Sequence, residues 1–132
     1  MPTPMSLTLT HLRNSGYLAD VCERWVPHAE IRRDLFHVAD VLAVHPARRE
    51  VLMVQATSIG NLSARVKKVR GQAELPALLR AGVSVQCWGW YRTPAGRWGV
   101  KVVTVRPGDF EEALLQQPAR RRRRGTQREL FD

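Results

Sequence analysis

Cysteine is scarce in this sequence, with Cys22 and Cys87 the only two among 132 residues. Two distant cysteines cannot form a disulfide framework, and they lack the short spacing that is typical of a zinc site. We therefore expect two buried thiols in a reducing compartment. A metal site in this chain would have to be built from oxygen ligands.

Long apolar runs are also missing. No segment approaches the roughly 20 apolar residues that cross a bilayer, and the opening MPTPMSLTLTHLR lacks the charged and apolar blocks of a secretory signal. With 44% apolar and 25% charged residues, the composition is that of a globular domain. These features predict a cytoplasmic protein without a membrane partner, with one α/β domain at residues 1–116 and a basic, disordered tail at 117–132.

Acidic residues are few relative to basic ones, which leaves a net charge of +9. The segment Gln117–Asp132 contains six arginines against Glu129 and Asp132, so it carries +4 and the rest of the chain carries +5. Both parts favour polyanions, and DNA is the partner we expect. The alternative is a basic surface that only maintains solubility.

Hydrophobic periodicity and turn residues predict an α/β fold with the order α-β-β-β-α-α-β-β, in which the central strands are covered on both faces. The segment Tyr17–Val26 also fits a helix, although a strand is favoured. The expected elements are a helix at Ser6–Asn14 capped by Ser6, strands at Tyr17–Val26, Asp34–His45 and Glu50–Thr57, helices at Asn61–Gly71 and Leu75–Ala81, and strands at Val83–Arg92 and Arg97–Val105.

Two polar residues, Asp40 and Gln55, interrupt the apolar strands that flank the turn HPARRE. If His45 pairs with Glu50, facing residues have numbers that add up to 95, so Asp40 faces Gln55. Facing side chains are about 5 Å apart, and their oxygens could bind one Mg²⁺ or Mn²⁺ ion. Alternatively, Gln55 donates its amide to Asp40 and the pair is structural.

The stretch VLAVHPARREVLMVQATS resembles the core of the PD-(D/E)XK nuclease superfamily, which includes Holliday-junction resolvases and restriction-endonuclease-like enzymes. The resemblance covers roughly Leu7 to Val105. It implies a restriction-endonuclease-like fold with a mixed central sheet flanked by helices, a DNA substrate and a Mg²⁺ or Mn²⁺ cofactor. By this resemblance Asp40 is the central metal ligand, and Gln55 and the carbonyl of Ala56 are the other ligands. Glu23 matches an additional upstream glutamate, and Asp34 is a second candidate for that role.

The triplet Gln-Ala-Thr departs from the acid-x-Lys pattern of that family, because Gln55 is neutral and Thr57 replaces the lysine. Some members supply the lysine from the following helix, where Arg65, Lys68 and Gln72 share one flank and Lys67 lies on the other. We therefore predict Lys68 as the catalytic lysine and Arg65 as a phosphate-binding residue. Alternatively, both side chains only solvate an amphipathic helix.

Three tryptophans, Trp88, Trp90 and Trp98, could stack on the bases of a single strand. The interpretation we favour is that they hold a helix against the sheet.

The tail contains two further signals. Five consecutive arginines can bind phosphates: Arg120, Arg121, Arg122, Arg123 and Arg124. The final residues QRELFD resemble the short peptide by which replication and repair proteins bind the bacterial sliding clamp, with Gln127, Leu130 and Phe131 as its contacts. Alternatively, Leu130 and Phe131 fold back onto this protein or form a contact between two copies, as in a homodimer.

Together these features predict a metal-dependent DNA endonuclease or resolvase that acts in DNA repair, recombination or phage DNA processing. The competing hypothesis is a DNA-binding accessory protein with a nuclease fold and no catalysis, recruited by its C-terminal peptide. A third, an RNA-binding regulator, would need exposed aromatic side chains.

Overall fold

A computed structural model describes residues 2–106 of the chain, in which five strands form a mixed sheet with helices on both faces. A short 3-10 turn at Ile59–Asn61 precedes the second helix. The elements, in chain order, are α1 (Pro4–Asn14), β1 (Leu18–Val21), β2 (Arg24–Val26), β3 (Ile31–Arg33), β4 (Val41–His45), β5 (Glu50–Ser58), α2 (Leu62–Arg70), α3 (Leu75–Arg80), β6 (Ser84–Arg92) and β7 (Trp98–Val105).

The main sheet has the strand order β1-β4-β5-β6-β7, while β2 and β3 form a separate two-stranded hairpin. Strands β5 and β6 are parallel, because the chain crosses over through α2 and α3 between them, and the other neighbours are antiparallel. His45 pairs with Glu50 and Val41 with Val54. Each pair of numbers adds up to 95, so the register predicted for the β4–β5 hairpin is confirmed.

Helix α1 begins at Pro4, two residues before the predicted start at Ser6, and its N-cap is Thr3. The Thr3 hydroxyl accepts the Ser6 N–H at 3.1 Å and the Ser6 hydroxyl accepts the Thr3 N–H at 2.9 Å. Ser6 is therefore the third helical residue of a capping box rather than the cap. Proline is well suited to the first helical position because no partner is needed for its missing N–H.

The first core cluster fixes α1 against one face of the sheet. Leu12 packs with buried strand residues, which include Trp88 and Trp90. The indole N–H of Trp90 donates to the hydroxyl of Thr8 at 2.8 Å, and both groups are buried. The preference for a structural role of these two tryptophans is confirmed, and neither is exposed enough to stack on bases.

The second core cluster lies on the opposite face, where α2 and α3 cover the centre of the sheet. The apolar side of α2 is formed by Leu62, Val66 and Val69, at the spacing expected for one helical face. This packing leaves the flank with Arg65 and Lys68 at the edge of the interface. The polar flank of α2 is thereby placed beside the end of the sheet where β4 begins.

The segment Asp34–Asp40 was expected to open a long strand, and that prediction is wrong. Phe36 and His37 have positive φ angles of 53° and 61°, which an extended strand does not allow. The segment forms a turn closed by the bridge between Leu35 and Ala39, and β4 begins only at Val41. Asp34 and Asp40 are therefore brought together by a turn and not by the face of a strand.

The observed order differs from the predicted one because the region before β4 contains three short strands. The predicted strand Tyr17–Val26 is interrupted at Cys22 and Glu23, and β3 was not predicted. No helix within residues 2–106 is long and apolar enough to cross a membrane. The predicted boundary between residues 116 and 117 lies outside the described residues.

Candidate functional site

Asp40 is a buried carboxylate at the start of β4, with 6% of its surface exposed. Its backbone N–H donates to the carbonyl of Val54 at 3.1 Å, and its carbonyl accepts the N–H of Cys22 at 2.9 Å. Its Oδ1 accepts the N–H of Ala56 at 3.0 Å. Backbone contacts to β5 and to the residue after β1 thus fix the position of this residue.

Removal from water raises the pKa of the Asp40 carboxyl to about 7. The hydrogen bond from Ala56 opposes this shift, whereas the negative charges of Asp34 and Glu23 add to it. A carboxylate in such surroundings is costly unless a cation or several donors compensate its charge. Asp40 is therefore the residue of this region whose charge most needs a partner.

Glu23, Asp34 and Asp40 form an acidic cluster, in which one carboxylate oxygen of each lies within 4.8 Å of the others. The three residues come from separate segments. Glu23 precedes β2, Asp34 follows β3 and Asp40 precedes β4. The pairing of β2 with β3 brings the first two together, because Arg24 faces Arg33 and the neighbouring residues lie at the base of the same hairpin.

Gln55 lies beside the acidic cluster but its side-chain oxygen is turned toward α2. Nη1 of Arg65 donates to Oε1 of Gln55 at 2.8 Å. The amide nitrogen donates to Oδ2 of Asp34 at 3.0 Å and to the carbonyl of Val38 at 3.4 Å. An amide suits this position because an arginine requires an acceptor and an aspartate requires a donor. The amide reaches Asp34 rather than Asp40, and the role of Gln55 as a metal ligand stays a prediction.

A cavity of about 460 Å³ opens beside the acidic cluster, and the predicted flank of α2 faces it. Its lining includes Glu23 and Asp34, and Nζ of Lys68 lies 4.0 Å from Oδ2 of Asp34. Lys67 is exposed and is not among the residues that line this cavity. The other lining residues are Ile31, Arg32, Arg33, His37, Arg65 and Gln72.

Thr57 and Ala56 complete the triplet on β5. Thr57 is 4% exposed, so no long cationic side chain occupies this position. Ala56 is 8% exposed and its N–H is bonded to Asp40. Its carbonyl as a ligand stays a prediction.

Sequence reasoning missed the β2–β3 hairpin and its surface. Trp25 and Ile31 on this hairpin are 50% and 46% exposed, and Phe36 in the following turn is 52% exposed. The motif IRRD, which places two arginines directly before an acidic residue, could have indicated a charged surface beside the candidate site. The predicted tail residues, Arg120 to Arg124 and Gln127, Leu130 and Phe131, lie outside the described residues.

The acidic cluster offers only oxygen ligands, and a basic cavity lies beside it. Together they define a site at one end of the sheet, between the β2–β3 hairpin and α2. Comparisons of the chain with protein-family models, with curated proteins and with solved structures found no match.

Proposed function

We propose that the chain is a metal-dependent DNA endonuclease with a restriction-endonuclease-like core. The observation that carries this proposal is the convergence of Glu23, Asp34 and Asp40 from three separate segments. Acidic groups repel one another, and a cluster that includes a buried carboxylate favours a bound cation. The mixed sheet, with a β4–β5 hairpin followed by a parallel crossover to β6, is compatible with such a core.

The donors fit a hard divalent cation such as Mg²⁺ or Mn²⁺, which prefers carboxylate oxygens. Glu23, Asp34 and Asp40 would hold the ion, and its chemistry would be to lower the pKa of a bound water and to neutralise charge on the phosphate. The two cysteines do not compete as ligands, because Cys87 is buried in the core and burial raises the pKa of Cys22 to about 11.

Two cations of α2 supply the phosphate contacts in this proposal. Lys68 lies at the rim of the acidic cluster and would hold an oxygen of the scissile phosphate. Arg65 fixes the orientation of Gln55, and Gln55 in turn holds Asp34. Arg65 also lines the cavity, so its guanidinium is available to the DNA strand. The net charge of +9 favours DNA as the polyanion.

The decisive experiment compares Asp40→Ala and Asp40→Asn with the wild-type chain on branched, nicked, single-stranded and linear DNA, in Mn²⁺ and in EDTA. We expect cleavage by the wild type in Mn²⁺ alone and background levels for both variants. Asp20→Asn is the matched control, because the side chain of Asp20 is 89% exposed on β1. Full activity of the Asp40 variants, with the control unchanged, would contradict the proposal.

A second candidate is a DNA-binding protein without catalysis. Two observations favour it: the Gln55 oxygen is directed at Arg65, and a buried Thr57 stands where a lysine would be needed. In that case no DNA is cleaved in Mn²⁺, and binding of DNA is the same in Mn²⁺ and in EDTA. A Mn²⁺-dependent gain of thermal stability that Asp40→Asn abolishes would argue against this candidate even without a known substrate.

A further inference from the structure

The β2–β3 hairpin is joined to the acidic cluster at both of its ends. Glu23 directly precedes β2 and Asp34 directly follows β3. The hairpin strands have only three residues each, so the residues of both strands lie within about 10 Å of the cluster along the strand. Whatever binds this hairpin is therefore held next to the candidate catalytic groups.

Arg24 and Arg33 face each other across the hairpin and both are exposed. Like charges in directly facing positions are destabilising, and a two-stranded hairpin has little stability of its own. Within residues 2–106 neither arginine forms an ion pair. Arg32, on the other face of the hairpin, is different: it pairs with Glu23 at 3.5 Å, and its guanidinium lies 5.9 Å from the centre of the Trp25 ring. An anion between Arg24 and Arg33 would remove the repulsion.

Phe36 lies next to this pair, with half of its surface in water. Its φ angle of 53° is unfavourable for a bulky residue and is followed by a second positive φ at His37. Phe36 is not part of either core cluster. The ring, Arg24 and Arg33 line one groove of about 390 Å³ together with Cys22, Asp34, Leu35, His37 and Glu74.

The acidic residues of this groove already have partners. Asp34 accepts the amide of Gln55 and lies 4.0 Å from Lys68. Oε2 of Glu74 lies 3.0 Å from Nδ1 of His37. The groove therefore combines two carboxylates that already contact other side chains with an exposed aromatic ring and two arginines that form no ion pair within residues 2–106, which suits a phosphate and a base.

We infer that this groove binds an unpaired nucleotide of a DNA strand, with its phosphate between Arg24 and Arg33 and its base on Phe36. The inference rests on the proposed function, since Asp34 belongs both to the groove and to the acidic cluster. It assigns the substrate class: DNA with unpaired nucleotides beside the phosphate that is cut. A base inside a duplex cannot reach the ring of Phe36, because both of its faces are stacked on its neighbours.

Binding is measured in EDTA, where no cleavage occurs, by fluorescence anisotropy of a labelled single strand and of its duplex. Phe36→Ala should weaken binding of the single strand about tenfold and leave duplex binding within about twofold, because stacking contributes only to the unpaired base. Phe36→Trp should restore the affinity. Trp25→Ala is the matched control, an equally exposed aromatic on the opposite face of the hairpin. Equal losses for Phe36→Ala and Trp25→Ala, or equal losses on both DNAs, would overturn the groove assignment.

The arginines are tested by the salt dependence of binding to the single strand. Arg24→Gln and Arg33→Gln should each lower the slope of log K against log salt by about 0.7, the value for one phosphate contact. Arg49→Gln in the β4–β5 turn is the charge-matched control and should leave the slope unchanged, because this turn lies at the far end of β4 from Asp40. Each hairpin variant should be at least as thermally stable as the wild type, since a repulsion is removed. A lower stability with an unchanged slope would show that the arginines are structural and would overturn the inference.

Cleavage separates this inference from the proposed function. Suppose that the wild type in Mn²⁺ cleaves a DNA with a single-stranded flap faster than a duplex, and that Phe36→Ala removes this preference. The groove assignment and the hydrolase proposal are then both supported. If it cleaves nothing but Phe36 still determines single-strand affinity, the groove assignment holds and the hydrolase proposal fails. If it cleaves duplex and flap at equal rates, with or without Phe36, the groove assignment fails and the hydrolase proposal holds.

Discussion

The side-chain amide nitrogen of Gln55 donates a hydrogen bond to Oδ2 of Asp34 at 3.0 Å, and Oε1 of Gln55 accepts one from Nη1 of Arg65 at 2.8 Å. The chain of contacts runs from α2 through β5 to the turn after β3. Its middle member is 1% exposed, so no water competes with these hydrogen bonds. The orientation of one acidic residue of the candidate metal site therefore depends on a neutral amide and a helical arginine.

Gln55→Glu should destabilise the metal-free protein and increase its response to metal. The substitution removes the donor to Asp34 and to the carbonyl of Val38 and places two carboxylates side by side, which costs about 1–3 kcal/mol. A divalent cation would compensate the added charge, so Mn²⁺ should raise the melting temperature more than in the wild type. Gln55→Met, of similar volume and without charge, is the control. A destabilised Glu variant with no larger Mn²⁺ response would mean that the amide is purely structural.

The contribution of Asp40 to the stability of the metal-free protein should fall as the pH rises from about 4 to 7. The folded-state pKa of Asp40 is raised to about 7, so the folded protein binds this proton more tightly than the unfolded chain. The stabilisation of the fold by protonated Asp40 is fully present below the pKa of this residue in the unfolded chain, and it is lost as the pH rises through 7. Each unit by which folding raises the pKa corresponds to about 1.4 kcal/mol of this stabilisation. Melting temperatures of the wild type and Asp40→Asn in EDTA should therefore diverge with pH, the variant being more stable at pH 8. Parallel curves would contradict this assignment.

Lys68→Ala should slow cleavage much more than Lys67→Ala. Both lysines are exposed, but Lys68 lines the cavity with its Nζ 4.0 Å from Oδ2 of Asp34, whereas Lys67 does not line it. Loss of a cation that stabilises the transition state costs about 10²–10³ in rate. The two variants are matched in charge and helix propensity, so single-turnover rates compare them directly. Equal rates would mean that the catalytic cation is another residue.

Deletion of residues 118–132 should weaken binding to DNA of any sequence. The deletion removes six arginines and two acidic residues. Each phosphate contact adds about 0.9 to the slope of log K against log salt for duplex DNA, so the slope should fall by up to about four. Titrations at several salt concentrations measure this directly. An unchanged slope would mean that these arginines do not contact the backbone.

Alanine at Leu130 and Phe131 should abolish capture of the host's sliding clamp without changing the affinity for naked DNA. The motif offers a glutamine for the rim of a pocket and two apolar side chains for its interior. We expect so short a segment to bind with micromolar affinity, which becomes useful when the chain also holds DNA. Pulldown with the purified clamp is the assay. Capture that persists in the double variant would exclude this peptide as the contact.

The sequence alone determined the register of the β4–β5 hairpin and the polar flank of α2. Both follow from local geometry, because alternation has a period of two along a strand and a short turn fixes which residues face each other. Arg65 and Lys68 line one cavity as the helical spacing predicted, and Gln72 lines it from just beyond the end of α2. Asp40 stood out because a carboxylate within an apolar run is costly to bury.

Only the tertiary structure decided which groups meet at Asp40. The positive φ angles of Phe36 and His37 turn the chain so that Asp34 joins Asp40 in the acidic cluster. The direction of the Gln55 amide depends on Arg65 and Asp34, which lie 10 and 21 residues away in the chain. Periodicity does not report such contacts, because they arise from the packing of separate elements rather than from the conformation of any one of them.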